Sequence, residues 1–115
     1  MKTKTNELIG PALDWAVAES EGNVRLQYDS REGLIICNIL GWIPYRPSVA
    51  WAQGGPIIER EGITLRSCID GAAWDAELAY EETILAPGPT PLIAAMRCYV
   101  SSVLGEEVEV PDELL

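Results

Sequence analysis

The side chains best suited to chemistry are concentrated in one short segment, residues 45–62. It carries the aromatic residues Tyr45 and Trp51, the arginines Arg46 and Arg60, an amide and a Gly-Gly-Pro run. Indole stacks on planar rings, and guanidinium groups bind carboxylates and phosphates. Glycine and proline interrupt both the helical and the strand periodicity, so we expect a shaped loop here. This composition predicts a site for a small polar ligand or a partner surface, although no residue spacing identifies the ligand or a reaction.

Three residues outside this segment complete the candidate site. Trp74 is a second candidate for stacking, Arg97 lies on a predicted helix, and Thr90 precedes that helix, whose free N–H groups would attract an anion. Each has a purely structural alternative, namely a core tryptophan, a solvated or ion-paired arginine, and a helix cap. The predicted ligand-binding residues are Trp51, Gln53, Gly54, Gly55, Arg60, Trp74, Thr90 and Arg97.

Catalytic and metal chemistry find little support in the composition. The chain has no histidine, which excludes a His-containing zinc site and leaves a cysteine nucleophile without its usual base. Cys37, Cys68 and Cys98 form no C-x-x-C pair and have apolar neighbours, so we interpret them as small buried side chains. We therefore expect no metal and no cofactor, and the composition favours a non-enzymatic protein without deciding whether it has catalytic activity.

The charge is strongly acidic. Eight basic and eighteen acidic residues give a formal net charge of −10, which repels phosphate backbones and disfavours direct nucleic-acid binding. Acidic residues crowd the end of the chain, residues 106–115. This acidic tail is interpreted as a solubilising end or, alternatively, as a docking surface for a basic partner.

The hydrophobic pattern predicts a few short elements. We expect a first helix over about residues 5–21, unless Pro11 marks its true start or a kink, and a last helix from Pro91 to Leu104. Between them the pattern predicts strands, with a helical turn as the competing interpretation of the last. These are a hairpin over 24–40 and strands over 63–69 and 74–80.

Together these elements indicate an α+β fold in which a small antiparallel sheet packs against two helices as a two-layer sandwich, in a single domain over residues 1–115. No apolar run approaches the length of a membrane span, and no signal peptide is evident, so we expect no membrane association.

Long runs of the sequence resemble the NinX family, small proteins of unknown function from lambdoid phages and prophages. The longest are W-A-Q-G-G-P-I-I-E-R-E at 51–61 and G-P-T-P-L-I-A-A-M-R-C-Y-V at 88–100. Shorter matching runs are 13–18, 21–22, 47–48, 74 with 76, and 105–108. The resemblance implies an accessory protein in the cytoplasm of a bacterial host, and it brings no established activity or catalytic residue.

Two functions are consistent with these observations. The first is a non-enzymatic, homo-oligomeric binder of a small polar or nucleotide-like ligand that sequesters a host defence signal. The alternative is an acidic protein-interaction module that inhibits a host protein, as a DNA mimic would.

Overall fold

The computed structural model describes residues 1–22, 26–29, 33–38, 41–68, 73–79 and 82–115. The described helices are α1 (Gly10–Glu21), α2 (Trp51–Glu61) and α3 (Pro91–Leu104). The described strands are β1 (Lys2–Lys4), β2 (Leu26–Asp29), β3 (Gly33–Asn38), β4 (Gly41–Pro44), β5 (Thr64–Ser67), β6 (Trp74–Ala79), β7 (Thr83–Gly88) and β8 (Glu107–Glu109). Short 3₁₀ turns cover Thr5–Glu7 and Asp112–Leu114.

The described strands form three small antiparallel sheets, in the orders β1-β8, β2-β3-β4 and β5-β6-β7. The predicted hairpin over 24–40 is confirmed by the pairing of β2 with β3, in which Leu26 lies opposite Ile36; its turn, residues 30–32, lies outside the described residues. Trp74 begins a strand rather than a helical turn, since β6 pairs with both β5 and β7.

Local capping signals define the ends of α1 and α3. Gly22 ends α1 in the left-handed conformation, with φ of 77°. The Thr90 hydroxyl accepts a hydrogen bond of 3.1 Å from the Ile93 amide, which confirms Thr90 as the cap of α3. The first helix begins at Gly10 with Pro11 in its first turn, which confirms the interpretation of Pro11 as the start of the helix instead of a start at residue 5. The residue before a proline is disfavoured in helical conformation, and Gly10, which precedes Pro11, has φ of 60°.

The prediction of a loop over residues 45–62 is wrong for most of that segment, because residues 51–61 form α2. Gly54 is buried where α2 meets the chain before it and the start of α3. A Cβ at this position would collide with the Pro47 carbonyl oxygen and lie 2.6 Å from the Leu92 side chain. Gly54 therefore permits a close approach inside a helix, whereas the sequence pattern suggested a turn. Pro56 removes one helical hydrogen bond, but it lies on the exposed face, where water can solvate the unpaired carbonyl.

The core is organised around α3, whose residues from Leu92 to Val100 are all buried. This helix packs on β6 and β7 and against α1. Side chains from both ends of the chain join the same cluster, including Leu8 and the fully buried Val110. The acidic segment 106–115 thus contributes β8 and a core valine to the fold.

The α+β class is confirmed. The finer prediction of one sheet and two helices in two layers is not confirmed, because the described strands divide among three sheets and a third helix is present. Within the described ranges, no helix is long and apolar enough to span a bilayer.

Candidate functional site

The predicted residues on α2 serve mainly to fix this helix in place. The Gln53 carboxamide makes two hydrogen bonds. Its oxygen accepts from the Arg46 amide at 2.6 Å, and its nitrogen donates to the Pro44 carbonyl at 2.7 Å. Gly54 is enclosed by neighbouring chain, and Gly55 lies beside the Trp51 ring. Trp51 itself is 55% exposed at the first position of the helix. Of these four residues, Trp51 retains the most surface for a ligand.

Arg60 belongs to an ionic network that joins α2 to α1 and α3. Its guanidinium contacts both Glu21 carboxylate oxygens, at 3.1 and 2.9 Å, and lies 5.6 Å from the centroid of the Tyr99 ring. The Tyr99 hydroxyl donates to Glu21 at 2.8 Å, and Arg60 also pairs with Glu61 at 2.8 Å. The carboxylates raise the pKa of Arg60, while burial and the hydrogen bond to Glu21 raise the pKa of Tyr99 to about 12. The charge of Arg60 is therefore already compensated.

Arg97 is a buried arginine, 8% exposed, and it is held by backbone carbonyls instead of an anion. Its Nε donates to the Leu8 carbonyl at 2.8 Å and one terminal nitrogen donates to the Pro87 carbonyl at 3.0 Å. Burial lowers its pKa from the ordinary value. This side chain ties the N-terminal segment and β7 to α3.

Thr90 caps α3, and Trp74 is a half-buried residue packed against the core. Neither they nor the other six predicted residues line the three main clefts of about 630, 230 and 340 Å³ on the described surface. The predicted ligand-binding set stays a prediction. The structure assigns packing, capping or ion-pairing contacts to most of its members.

A different group of polar residues lines a cleft of about 340 Å³. The cleft lies between the start of α1, the start of β3 and the segment before α2. Its lining residues are Gly10, Pro11, Asp14, Gly33, Leu34, Tyr45, Arg46, Ser48 and Val49. It is thus built from parts of the chain that are distant in sequence.

Asp14 and Ser48 are the polar centre of this cleft, 5% and 1% exposed respectively. The Asp14 Oδ1 oxygen accepts a hydrogen bond of 2.9 Å from the Ser48 amide. The Ser48 hydroxyl oxygen is enclosed by protein and meets the strict geometry of a hydrogen bond with no atom in the described residues. It nevertheless lies close enough to the Asp14 carboxylate to favour its ionised form, so the two side chains interact with each other.

Burial raises the pKa of Asp14 to about 6, against the opposing influence of the Ser48 contacts and the positive charge of Arg46. Burial likewise raises the pKa of Tyr45. A carboxyl group that titrates near neutrality in a cleft is typical of functional sites. The sequence pattern missed Asp14, because it reads as an ordinary polar residue on an amphipathic helix. The composition of segment 45–62 was the sequence feature that indicated this part of the molecule, since the first residues of the segment line the cleft.

Two further clefts and the cysteines add little reactive chemistry. The larger cleft, of about 630 Å³, has Glu82, Glu106 and Glu107 in its polar lining. Burial raises the pKa of the Cys98 thiol to about 11, which leaves it protonated at neutral pH. Cys68 is half-buried, and the side chain of Cys37 lies outside the described residues. No group of three or more potential metal-ligating side chains occurs in the described part of the chain.

Comparison with known proteins places the chain in a family. The model of the family described as Bacteriophage P22, NinX matches residues 4–102, which include all three helices of the structure except the last two residues of α3. The chain belongs to the NinX family. No curated protein matches it. A phage protein acts in the infected host cell, so the ligands and partners to consider for this NinX protein are those of a bacterium during infection.

Proposed function

We propose that this NinX protein binds a small polar, nucleotide-like ligand without transforming it, and that the Asp14–Ser48 cleft is the binding site. The observation that carries the proposal is the Asp14 carboxylate, a charged group that lines this cleft although it is only 5% exposed, with Arg46 and Tyr45 in the same lining. Ligand sites combine apolar walls with a few convergent polar groups, and a volume of about 340 Å³ accommodates a molecule of nucleotide size.

The wider biological proposal follows from the phage family. The protein would act in the host cytoplasm as a homo-oligomer and sequester a nucleotide signal of host defence. Two exposed apolar side chains, Val49 in the cleft lining and Trp51 at the start of α2, offer a surface for a second copy or for a ligand that extends out of the cleft. The original candidate Trp51 keeps its proposed stacking role in this arrangement.

The test is native mass spectrometry of the protein purified from phage-infected cells, measuring both the oligomer mass and any bound small molecule. Val49→Trp should displace the bound molecule, because Val49 is exposed and lines the cleft. Val103→Trp is the matched control, since Val103 is an exposed residue of α3 away from this cleft. Protein that is empty in every preparation, or a bound mass that Val49→Trp leaves in place, would contradict the proposal.

The second candidate, an acidic protein-interaction module, is favoured by a separate observation. The acidic segment is held in a fixed conformation, because β8 pairs with β1 and Val108 and Val110 are buried. Glu106 and Glu107 therefore stand in defined positions beside Glu82 in the larger cleft. Such an arrangement suits a basic surface of a host protein.

This candidate is tested by charge removal, because deleting residues 106–115 would also remove Val110 from the core. The double variant Glu106→Gln with Glu107→Gln should lose salt-sensitive capture of a purified basic host partner while its thermal unfolding stays unchanged. Capture that is insensitive to both the substitutions and salt would exclude the acidic surface.

A further inference from the structure

We propose that the outer edge of β7 binds an extended, basic segment of a host protein as an added antiparallel strand. Such a segment would be the partner of the acidic interaction module described above as the second candidate, so this proposal rests on that candidate. Three features of the larger cleft support it: backbone groups that point away from the sheet, an exposed leucine between them, and carboxylates without an ion pair.

The first feature is the direction of the backbone groups of β7, which pairs only with β6 among the described strands. Pro87 has no N–H and lies opposite Asp75, so its backbone groups point away from β6. Hydrogen-bonded and non-hydrogen-bonded pairs alternate along an antiparallel ladder. Leu85 and Thr83 follow Pro87 at intervals of two, so their N–H and C=O groups also point outward.

The other side of β6 supports the same alternation. The Cys68 amide donates to the Ala73 carbonyl at 2.9 Å, which extends the β5–β6 ladder by one hydrogen-bonded pair. Two residues further along, Arg66 and Asp75 are therefore also a hydrogen-bonded pair. Asp75 thus directs its backbone groups to β5, which agrees with their absence from the ladder between β6 and β7.

One end of this outer edge is closed and the other is open. At the closed end, the Pro87 carbonyl accepts a hydrogen bond from the buried Arg97, which also binds the Leu8 carbonyl. At the open end, Thr83 and Leu85 border the larger cleft of about 630 Å³. Their outward backbone groups bond to no other part of the described chain. A strand added about 4.8 Å from β7 would lie in this cleft.

The second feature is the alternation of side chains along β7. Ile84 is half-buried and Ala86 is 1% exposed, so this face of the strand packs under α3. Leu85 points the opposite way and is 57% exposed. Residues paired across a ladder share one face of the sheet, so an apolar residue opposite Leu85 would cover it. The residues between such apolar positions would point to the α3 face.

The third feature is the negative charge of the cleft. Glu82, Glu106 and Glu107 line it, and none of them forms an ion pair within the described residues. Lys4 is the one cation among the described lining residues. The Thr5 amide donates to the Glu106 carbonyl at 2.8 Å, which fixes the acidic wall just beyond the end of α3. An added strand that alternates apolar and basic side chains would therefore match both the leucine and the carboxylates.

A second copy of this chain is the competing occupant of the edge. Its own β7 would bring another Glu82 to the same carboxylates, and each copy has a formal net charge of −10. Like charges placed opposite each other on paired strands are destabilising. A basic segment of a different protein replaces this repulsion with attraction.

The experiment uses the acetylated and amidated pentapeptide Lys-Val-Lys-Val-Lys, titrated into the isotope-labelled full chain and followed by NMR spectroscopy. Its valines would lie opposite Thr83 and Leu85, and its lysines would point to the acidic side of the cleft. Binding should shift the amide signals of Thr83 and Leu85. It should also slow hydrogen exchange at the Leu85 amide, because that amide gains an acceptor. The same peptide with glutamate in place of lysine should not bind.

Two N-methylated peptides test the backbone pairing while the protein stays unchanged. In the proposed register each valine directs its N–H to β7, whereas each lysine directs its N–H away. N-methylation of both valines should weaken binding by roughly 10-fold or more, because it removes two hydrogen bonds. N-methylation of two lysines is the matched control and should leave the affinity close to that of the parent peptide.

Two substitutions at one exposed position provide the matching test in the protein. Leu85→Pro removes the outward amide without breaking a bond to β6, as Pro87 does on the same edge, and should abolish binding. Leu85→Thr keeps the amide and is well tolerated in strands, so most of the affinity should remain. Glu82→Gln should reduce the affinity by a few-fold and weaken its dependence on salt. Thermal unfolding of each variant checks that the fold is retained.

Several outcomes would overturn the proposal. They are no binding of the lysine peptide, equal affinity for the two N-methylated peptides, and binding that leaves the Thr83 and Leu85 amides unchanged. A dimer of the free protein that Leu85→Pro dissociates would assign the edge to a second copy instead. Salt-sensitive capture of a host partner that Leu85→Pro leaves intact would support the acidic module without strand addition. Small-ligand binding, measured by native mass spectrometry, stands or falls independently.

Discussion

Two polar regions of this protein differ in how completely their polar groups are paired by hydrogen bonds or opposite charges. Around α2 and α3, the charged groups of Arg60 and Arg97 are matched by carboxylates or backbone carbonyls. In the cleft at the start of α1, the Asp14 carboxylate is buried at a cost, and the Ser48 hydroxyl beside it makes no hydrogen bond of good geometry among the described residues. A conspicuous residue type therefore does not by itself identify a binding site. Polar groups left uncompensated by the fold are the more informative signal.

The largest expected effect is on the pH dependence of stability, through Asp14→Asn. The folded-state pKa of Asp14, about 6, lies above the unfolded value of 3.8, so the native protein binds this proton more tightly. The wild type therefore loses stability as the pH rises from 3.8 to about 6, by up to about 3 kcal/mol at pH 7.

The Asn variant has no titrating group at position 14. Its free energy of unfolding, measured relative to that of the wild type, should therefore increase as the pH rises through the same interval. Urea unfolding of both proteins at pH 4 and pH 7 measures the change, with Glu19→Gln as the control of equal charge. A constant difference between Asn variant and wild type would show that Asp14 is not held in a costly environment. The cleft would then resemble the region around α2 and α3, in which each charged group has its partners.

The next largest effect compares neighbouring glycines of α2. Gly54→Ala should destabilise the protein by roughly 1–3 kcal/mol, since its methyl group would press on the Pro47 carbonyl and on Leu92. Gly55→Ala meets only the Trp51 ring, at 3.9 Å, and should stabilise the helix by roughly 0.5–1 kcal/mol. Thermal unfolding of the two variants checks this contrast. Equal effects of the same sign would mean that α2 does not pack as closely as described.

A smaller effect distinguishes the Thr90 hydroxyl, which accepts a hydrogen bond at the start of α3, from the Ser48 hydroxyl, which makes none of good geometry. Thr90→Ala should cost about 1 kcal/mol, because the hydroxyl caps α3 through the Ile93 amide. Ser48→Ala should cost less than Thr90→Ala, since the Ser48 hydroxyl makes no hydrogen bond of good geometry with a described residue. Chemical denaturation of the ligand-free protein gives both values, and Thr90→Ser should restore the cap. A clear loss of stability in Ser48→Ala would reveal a structural role for that hydroxyl.

The smallest effect concerns the exposed part of the compensated region. Arg60 is half-exposed, so solvent screens its pairs with Glu21 and Glu61. Arg60→Gln should therefore lower the free energy of unfolding by less than about 1 kcal/mol, and the loss should shrink in high salt. A loss of several kcal/mol that persists in high salt would require Arg60 to act as a buried anchor, as Arg97 does.

The parts of the fold that were predicted from sequence have local causes. Pro11, Gly22 and Gly105 place the ends of α1 and α3 through backbone preferences that need no distant contact. The β2–β3 hairpin likewise joins neighbouring segments. Such features are encoded within a few residues, which is why the pattern reveals them.

The parts that escaped prediction depend on distant contacts. The need for glycine at position 54 arises from Pro47 and Leu92, so the same residues suggested a turn when read alone. Burial raises the pKa of Asp14 against the opposing hydrogen bonds of Ser48, and both depend on bringing together residues that are 34 positions apart. The pairing of β1 with β8 joins opposite ends of the chain and has no sequence signature. Segment 45–62 contributes its first residues to the cleft and its later ones to a helix.

The β1–β8 pair also has a consequence for how the protein folds. Lys2 lies opposite Glu109, so β1 gains this partner only after residues 107–109 have been synthesised. Contacts of such long sequence separation form slowly, because a large loop must close before they contribute any stability. On the ribosome, the helices and the β5-β6-β7 sheet can form first, and the β1–β8 sheet can close only after residues 107–109 emerge. Its closure brings Val108 and Val110 into the core, so the core is fully packed only once this pairing has formed.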